Sequence, residues 1–310
     1  MREVALQNQL AWENAVTRIA RIVPHLLFLF LLVLIFQPSL VDIKNPWIFL
    51  GVVGSVEFAL LWKRQSAAAH DIVTFVFLVL LFWEFVTTKI FNPNTMLYPV
   101  PENVFAVYYT DWHKILTGIG SSLYLLGMGF VTALVLGFVG GMITGWNRRL
   151  REALFPIAKV ISPIPPIIYT PYAVALLPSF ELASIFVIFS SIFWQVYISV
   201  ILSVTSIDRK LLDSARTLNM KPRAMLFHIL FPYCLPKLMK SLPISIANAF
   251  MVLTAAEMIG ATAGLGWFVK YYSDFSDYTR VIAGIILIGV VVSLINLLIA
   301  ALERRIVRWR

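Results

Sequence analysis

Along the 310-residue chain, long apolar runs alternate with short polar breaks. A segment that crosses the hydrocarbon core of a bilayer as a helix needs about 20 predominantly apolar residues. Eight candidates occur, at 23–37, 46–62, 72–91, 121–146, 154–177, 182–204, 241–262 and 281–302. Lipid offers no partners to backbone N–H and C=O groups, so each run must satisfy them internally as a helix. The pattern predicts an all-α polytopic membrane protein with about eight transmembrane helices. No stretch between the runs is large enough to form a water-soluble domain that captures a solute. Residues 2–22 differ, with Leu6, Leu10, Val16 and Ile19 recurring among charges and Trp12 near the middle; that pattern predicts a helix lying in the membrane interface. No small-residue cleavage site follows the first apolar run, which is expected to be a retained helix.

Several runs carry residues that a purely lipid-facing helix does not need. Gly137, Gly141 and Gly145 repeat at four-residue spacing, which lets two helix backbones approach closely, within one subunit or between two. Pro156, Pro163, Pro165, Pro166 and Pro171 crowd the 154–177 run. Proline removes backbone donors and kinks helices, and broken backbone at membrane depth belongs where it is buried in protein or lines a wet cavity. A kink that serves packing alone is the other reading of this segment. Tyr169 and Tyr172 add polar handles to it. Trp194 and Gln195 interrupt the sixth run, and Asn248, Thr254 and Glu257 the seventh. Polar groups in hydrocarbon need partners, so Tyr169, Trp194, Gln195, Asn248 and Glu257 are candidates for the wall of a translocation path. Glu57, near the end of the second run, has either a functional role or simple access to the interface and Lys63.

Composition sharpens this picture. The chain is 60% hydrophobic and 13% charged, where soluble domains average about 25% charged. The net charge of +9 suggests nucleic acid until its distribution is examined. With the N-terminus inside and eight crossings, 20 of the 25 Lys and Arg residues fall on the inner side and five (Lys44, Lys89, Lys114, Lys270 and Arg280) on the outer. That asymmetry orients membrane proteins and calls for no nucleic-acid partner; the expected topology is N-in and C-in. The single cysteine, Cys234, rules out an internal disulfide framework. His25, His70, His113 and His228 lack ligand spacing, so no metal site is expected. No phosphate-binding G-x-x-x-x-G-K-[ST] loop, H-E-x-x-H or G-x-S-x-G motif occurs. The chain is therefore expected to be neither an ATPase nor a hydrolase, and to carry no cofactor of its own.

The most informative stretch is a charged island, 207–232, between the sixth and seventh runs. Leu211, Leu212, Ala215 and Leu218 stand at helical spacing beside Asp208, Arg209, Asp213 and Arg216. Asp208 is a suitable N-cap, Asn219 tolerates the left-handed conformation that ends a helix, and Lys221-Pro222 blocks continuation. One reading is a basic inner loop with no further role. The other rests on spacing: Asp213-Ser214-Ala215, three residues, Asn219, nine residues, then Ile229-Leu230-Phe231-Pro232. This resembles the E-A-A, G, I-x-L-P loop of the permease subunits of binding-protein-dependent ABC importers, with Asp for Glu, Ser for Ala, Asn for Gly and Phe for Leu. Trp83-Glu84-Phe85, the connector Leu97-Tyr98-Pro99-Val100-Pro101-Glu102-Asn103-Val104, and Ala256-Glu257-Met258-Ile259-Gly260 with Gly264-Leu265-Gly266 resemble signatures of the nitrate, sulfonate and taurine subgroup.

The resemblance covers about three-quarters of the chain and implies a type I ABC importer permease-like helical bundle. Residues 72–310 would be the six-helix permease domain, and 1–71 an N-terminal extension with two extra transmembrane helices. The 207–232 loop would hold the coupling helix, with Asp213, Ser214, Ala215, Arg216, Asn219, Met220, Lys221 and Arg223 contacting a separate ATPase. ATP and Mg would be bound by that ATPase pair. The other implied partners are an extracytoplasmic solute-binding protein and a second permease copy, in a bacterial plasma (inner) membrane. The implied substrate is a small anion such as a sulfonate, taurine or nitrate. Apart from the resemblance, an ATP-independent membrane carrier or an integral membrane enzyme stays open, with 207–232 as a basic loop only.

Overall fold

The computed structural model of the protein describes residues 20–43, 45–63, 66–90 and 96–306. The interfacial helix expected over 2–22 falls almost wholly outside them. Thirteen α-helices follow one another among the described residues: α1 (Ala20–Phe36), α2 (Pro46–Trp62), α3 (Ala67–Thr88), α4 (Pro101–Thr110), α5 (Trp112–Trp146), α6 (Arg148–Ile161), α7 (Pro166–Leu176), α8 (Phe180–Thr205), α9 (Arg209–Thr217), α10 (Pro222–Met225), α11 (Phe231–Gly260), α12 (Leu265–Asp274) and α13 (Tyr278–Ile306). No strand occurs among these residues. Their starts are written locally. Asn45, Ser66, Asn147, Ser179 and Asp208 each accept a hydrogen bond from a first-turn N–H, as N-caps do. Pro46, Pro101, Pro166 and Pro222 open their helices, where a missing N–H costs nothing.

Among the described residues, five helices are long and apolar enough to cross a membrane: Ala67–Thr88, Trp112–Trp146, Phe180–Thr205, Leu226–Gly260 and Tyr278–Arg305. The first two apolar runs form helices of 17 residues each, at the lower limit for a span. The run at 154–177 departs most from expectation. It is two helices, α6 and α7, bent by 92° at Ser162–Pro165. The physical cause is the Pro163, Pro165 and Pro166 cluster, which removes three donors within four residues. Between the third and fourth apolar runs, the described residues 96–120 contribute α4 and the first turns of α5.

The chain divides into two compact units, 1–112 with 272–283, and 113–271 with 284–310. In the first unit, Leu31, Phe49, Val53, Phe77 and Leu81 form the core between α1, α2 and α3. Glu57 is bonded to His25, with the His70 ring edge-on to that imidazole, so its partner is a histidine and not Lys63. The Lys89 ammonium donates to the carbonyls of Gln37 and Pro38, both at 3.0 Å. Arg280 ties the start of α13 to the end of α4 through Asp111 at 2.5 Å.

In the second unit, α8 and α11 are the central pair, with Ile188, Ile192, Val196, Leu242, Ile246 and Leu253 buried between them and their neighbours. The α5 glycines lie against α8. A Cβ at Gly129 would sit 2.6 Å from Ile188, at Gly141 2.8 Å from the Tyr197 carbonyl, and at Gly145 2.8 Å from Val204. The glycine stripe is therefore an intramolecular seam, extended by a 2.8 Å hydrogen bond between the Thr144 and Tyr197 hydroxyls. At the start of α11, the Phe231 N–H reaches back five residues to Leu226 in a π-turn over Leu226–Leu230.

Candidate functional site

The island 207–232 folds as a compact helical hairpin. Asp208 caps α9 by accepting from the Lys210 N–H at 2.9 Å. At the other end Asn219 takes a left-handed backbone, φ 52°. Its N–H donates to Arg216 at 2.9 Å, and the Met220 N–H reaches Ala215 at 3.2 Å. These are the two bonds of a Schellman ending, in which asparagine stands where glycine is commonest.

The faces of α9 divide the expected docking residues. Ala215 is 4% exposed and faces the chain's own core with Ile207, Met225 and Leu230. Leu212 and Met220 are partly buried against the same cluster. Asp213, Ser214, Arg216, Asn219 and Lys221 are exposed, with Arg216 paired to Asp213 at 3.1 Å. The Arg223 side chain lies outside the described residues. Two of the leucines that stand at helical spacing are exposed: Leu211, and Leu218 at 78%. Leu218 is the C-cap residue, where the chain leaves the helical path, so the 3.6-residue period no longer places it. With Leu211 it adds apolar area to a largely polar surface.

Around Glu257, the carboxylate is 1% exposed. It accepts from the Ser122 hydroxyl at 2.5 Å and from the Gly266 N–H at 2.6 Å, while Ser122 accepts from the Leu265 N–H at 2.9 Å. One acid thus joins α11, α5 and the N-terminus of α12. The glycines that follow make room for it. Gly264 has φ +140°, and a Cβ there would lie 2.5 Å from the Glu257 carboxyl; one at Gly266 would lie 2.5 Å from the Thr254 carbonyl. Negative charge at a helix N-terminus is favourable. The A-E-x-x-G…G-L-G stretch is accordingly a packing and capping device.

The other path candidates are spread out. Trp194 belongs to an aromatic cluster with Phe193 and Tyr197, its ring 4.9 Å from that of Phe193. Tyr169, partly buried, packs on Ala173, Val187, Val252 and Ala256. Asn248 is half-buried and Gln195 exposed. Among the described residues, no three of His, Cys, Asp and Glu converge to hold a metal.

A pair that sequence spacing did not bring together lies in the first unit. Glu84 and Glu102 are both 0% exposed, their carboxyl groups facing each other. Burial, above all, holds the Glu102 carboxyl above the ordinary glutamate range. Trp83 Nε1 donates to the Pro99 carbonyl at 3.0 Å, so the Trp-Glu segment and the proline connector are two halves of one contact. Both segments were noted in the sequence, but separations of 16 and 18 residues carry no pairing signal.

The model of the family described as "Binding-protein-dependent transport system inner membrane component" matches residues 129–308, more than half of the chain. The taurine transport system permease protein TauC of Escherichia coli (strain K12) is 27% identical over 262 residues, covering 80% of this chain and 92% of TauC. The nitrate import permease protein NrtB of Synechocystis sp. is 31% identical over 189 residues, covering 61% of this chain and 69% of NrtB. Among solved structures, a chain of the inward-facing MetNI methionine ABC transporter superposes with a TM-score of 0.51 at 19% identity, over 65% of this chain and 96% of its own length. Together with the apolar helices, these matches show a multi-pass inner-membrane transport subunit. The chain belongs to the family of binding-protein-dependent transport system inner membrane components, as an ABC importer permease of the nitrate, sulfonate and taurine type.

Proposed function

We propose that the protein forms, with a second copy of itself, the path for a small anion such as a sulfonate, taurine or nitrate. A separate pair of ATPase subunits, binding ATP and Mg, drives it, and an extracytoplasmic solute-binding protein supplies the solute. The observation that carries this reading is α9. It is anchored inward by Leu212 and Ala215 and presents Leu211, Asp213, Ser214, Arg216 and Leu218 outward. A helix rigidly seated on its own core transmits a push, and a flexible basic loop does not. An apolar residue as exposed as Leu218 fits a pocket on a partner. The docking set is therefore Leu211, Asp213, Ser214, Arg216, Leu218, Asn219 and Lys221, with Ala215 and Met220 acting from beneath by seating the helix.

ATPase closure would move α9 as a lever and, through the π-turn, tilt α11 against α8. Gln195, exposed on α8, and Asn248, on α11, are the polar path residues of this proposal, with Tyr169 on α7 and Trp194 on α8 as further candidates. Glu257 acts one step back by holding the end of α11. Residues 72–310 would be the permease domain, and 1–71 the added N-terminal helices. Exposed Leu211 and Leu218 weigh against a carrier in which 207–232 is a basic loop only.

The test co-expresses the protein with its ATPase and measures co-purification. Leu218→Asp is expected to reduce recovered ATPase at least tenfold with no loss of thermal stability. Wild-type recovery and transport by this variant would sink the docking assignment.

A further inference from the structure

A cavity of about 480 Å³ opens at the root of the α9 hairpin, where the ends of α5 and α8 meet the start of α6. Two arginines, Arg151 and Arg216, line it with Trp146, Thr205 and Leu212. Arg151 donates to the Gly145 carbonyl at 2.8 Å. That bond fixes the side chain at the wall and leaves most of its five donors for another acceptor. Among the described residues Arg216 is tied to Asp213 alone, at 3.1 Å, with both side chains about two-thirds exposed; an exposed pair of this kind yields readily to a better anion.

The start of α6 adds a second observation. Its first turn holds Arg148, Arg149 and Arg151 and no acid, although a helix N-terminus already carries about half a positive charge. Glu152 answers Arg148, at 2.8 Å. Arg149 and Arg151 remain beside a positive helix end, an arrangement that an anion stabilises. Beyond that turn, α6 exposes Leu154, Ile157 and Val160, so one short helix combines a cationic start with an apolar face. Trp146, at its approach, is the residue type enriched at membrane surfaces.

We infer that this cavity binds a tetrahedral oxyanion, gripped by the forked donors of Arg151 and Arg216, and that the phosphate of an anionic phospholipid is the occupant its surroundings favour. Guanidinium groups match such oxygens two at a time, and acyl chains would lie along Leu154, Ile157 and Val160. Because Arg216 projects from α9, an occupied cavity joins α9 to α6 through the anion and stiffens the hairpin. The site shares Arg216 with the proposed docking face of α9 but is complete within one chain, so its occupancy can be read on the permease without the ATPase.

The experiment is thermal unfolding of the full-length protein in detergent, titrated separately with phosphatidylglycerol, phosphatidylcholine and inorganic phosphate. Phosphatidylglycerol is expected to raise the midpoint, and Arg151→Gln and Arg216→Gln each to raise the half-saturating concentration at least tenfold. Arg151→Lys, which keeps the charge and loses the fork, is expected to fall between. An arginine-dependent shift with inorganic phosphate as well would support a site for free oxyanions; a shift with phosphatidylglycerol alone would support the lipid. Equal stabilisation by phosphatidylcholine, no shift with either phosphatidylglycerol or phosphate, or wild-type titration of both glutamine variants would overturn the proposal. Arg216 is exposed, so Arg216→Gln keeps the test decisive where Arg151→Gln folds poorly.

Discussion

Glu257 receives one hydrogen bond from α5 and one from α12, and each of its oxygens is used. Glutamine offers a single acceptor there and turns an N–H₂ group toward a donor. Glu257→Gln is therefore expected to cost about 1.5–3 kcal/mol, the scale of a hydrogen bond to a charged group. Thermal unfolding would report the loss, while the substrate concentration for half-maximal transport stays at the wild-type value. A changed half-maximal concentration with unchanged stability would return Glu257 to the path. Glu102 makes a prediction about pH. Its folded pKa lies above the ordinary value of 4.5, so the folded protein binds the proton more tightly than the unfolded chain. Stability from this group is thus present at low pH and falls as pH rises from about 4.5 upward. Glu102→Gln, which resembles the protonated form, should flatten the midpoint-against-pH curve in that direction; an unchanged slope would refute it. That an acid stands at 84 and another at 102 is plain from the sequence. That they share one dry site depends on how the connector folds back, which residue types do not state.

At the scale of elements, the hairpin at 207–232 was the most legible part of the chain, because its signals are local. Asp208 caps, Asn219 turns left-handed and Pro222 restarts, each through contacts within a few residues. Asn219→Val should lower stability by about 1–2 kcal/mol, since a β-branched residue resists positive φ; Asn219→Gly should be tolerated. A thermal midpoint for the valine variant equal to that of the glycine variant would contradict the Schellman assignment. The facing of α9 was less legible. Ala215 looked like part of a docking surface, yet the buried Ile207, Met225 and Leu230 cluster claims it. Ala215→Asp should therefore lower stability itself, unlike Leu218→Asp, a contrast that separates seating from docking. The 154–177 run shows the opposite limit. Its prolines announced a break, but a 92° bend that leaves α6 as a separate amphipathic helix depends on what each half packs against.

For the whole molecule, orientation follows from charge. The basic excess on one set of loops predicts N-in and C-in. In a Cys234→Ser background, Lys221→Cys should react with a membrane-impermeant thiol reagent only after permeabilisation, and Lys114→Cys without it. The reverse pattern would overturn the topology. By itself the sequence determined what acts over short distances or by simple addition: the apolar runs, the caps and turns, the charge asymmetry, and the spaced signatures of the permease family. Tertiary structure alone decided which groups meet across long separations. It put the α5 glycines against α8, closed Glu257 on Ser122 and Gly266, set Glu84 against Glu102, turned Ala215 inward and Leu218 outward, and brought Arg151 and Arg216 to one cavity. The reason is physical. Hydrophobic periodicity specifies that a face is buried and is nearly silent about which partner buries it, and that choice rests on shape complementarity between segments distant in the chain.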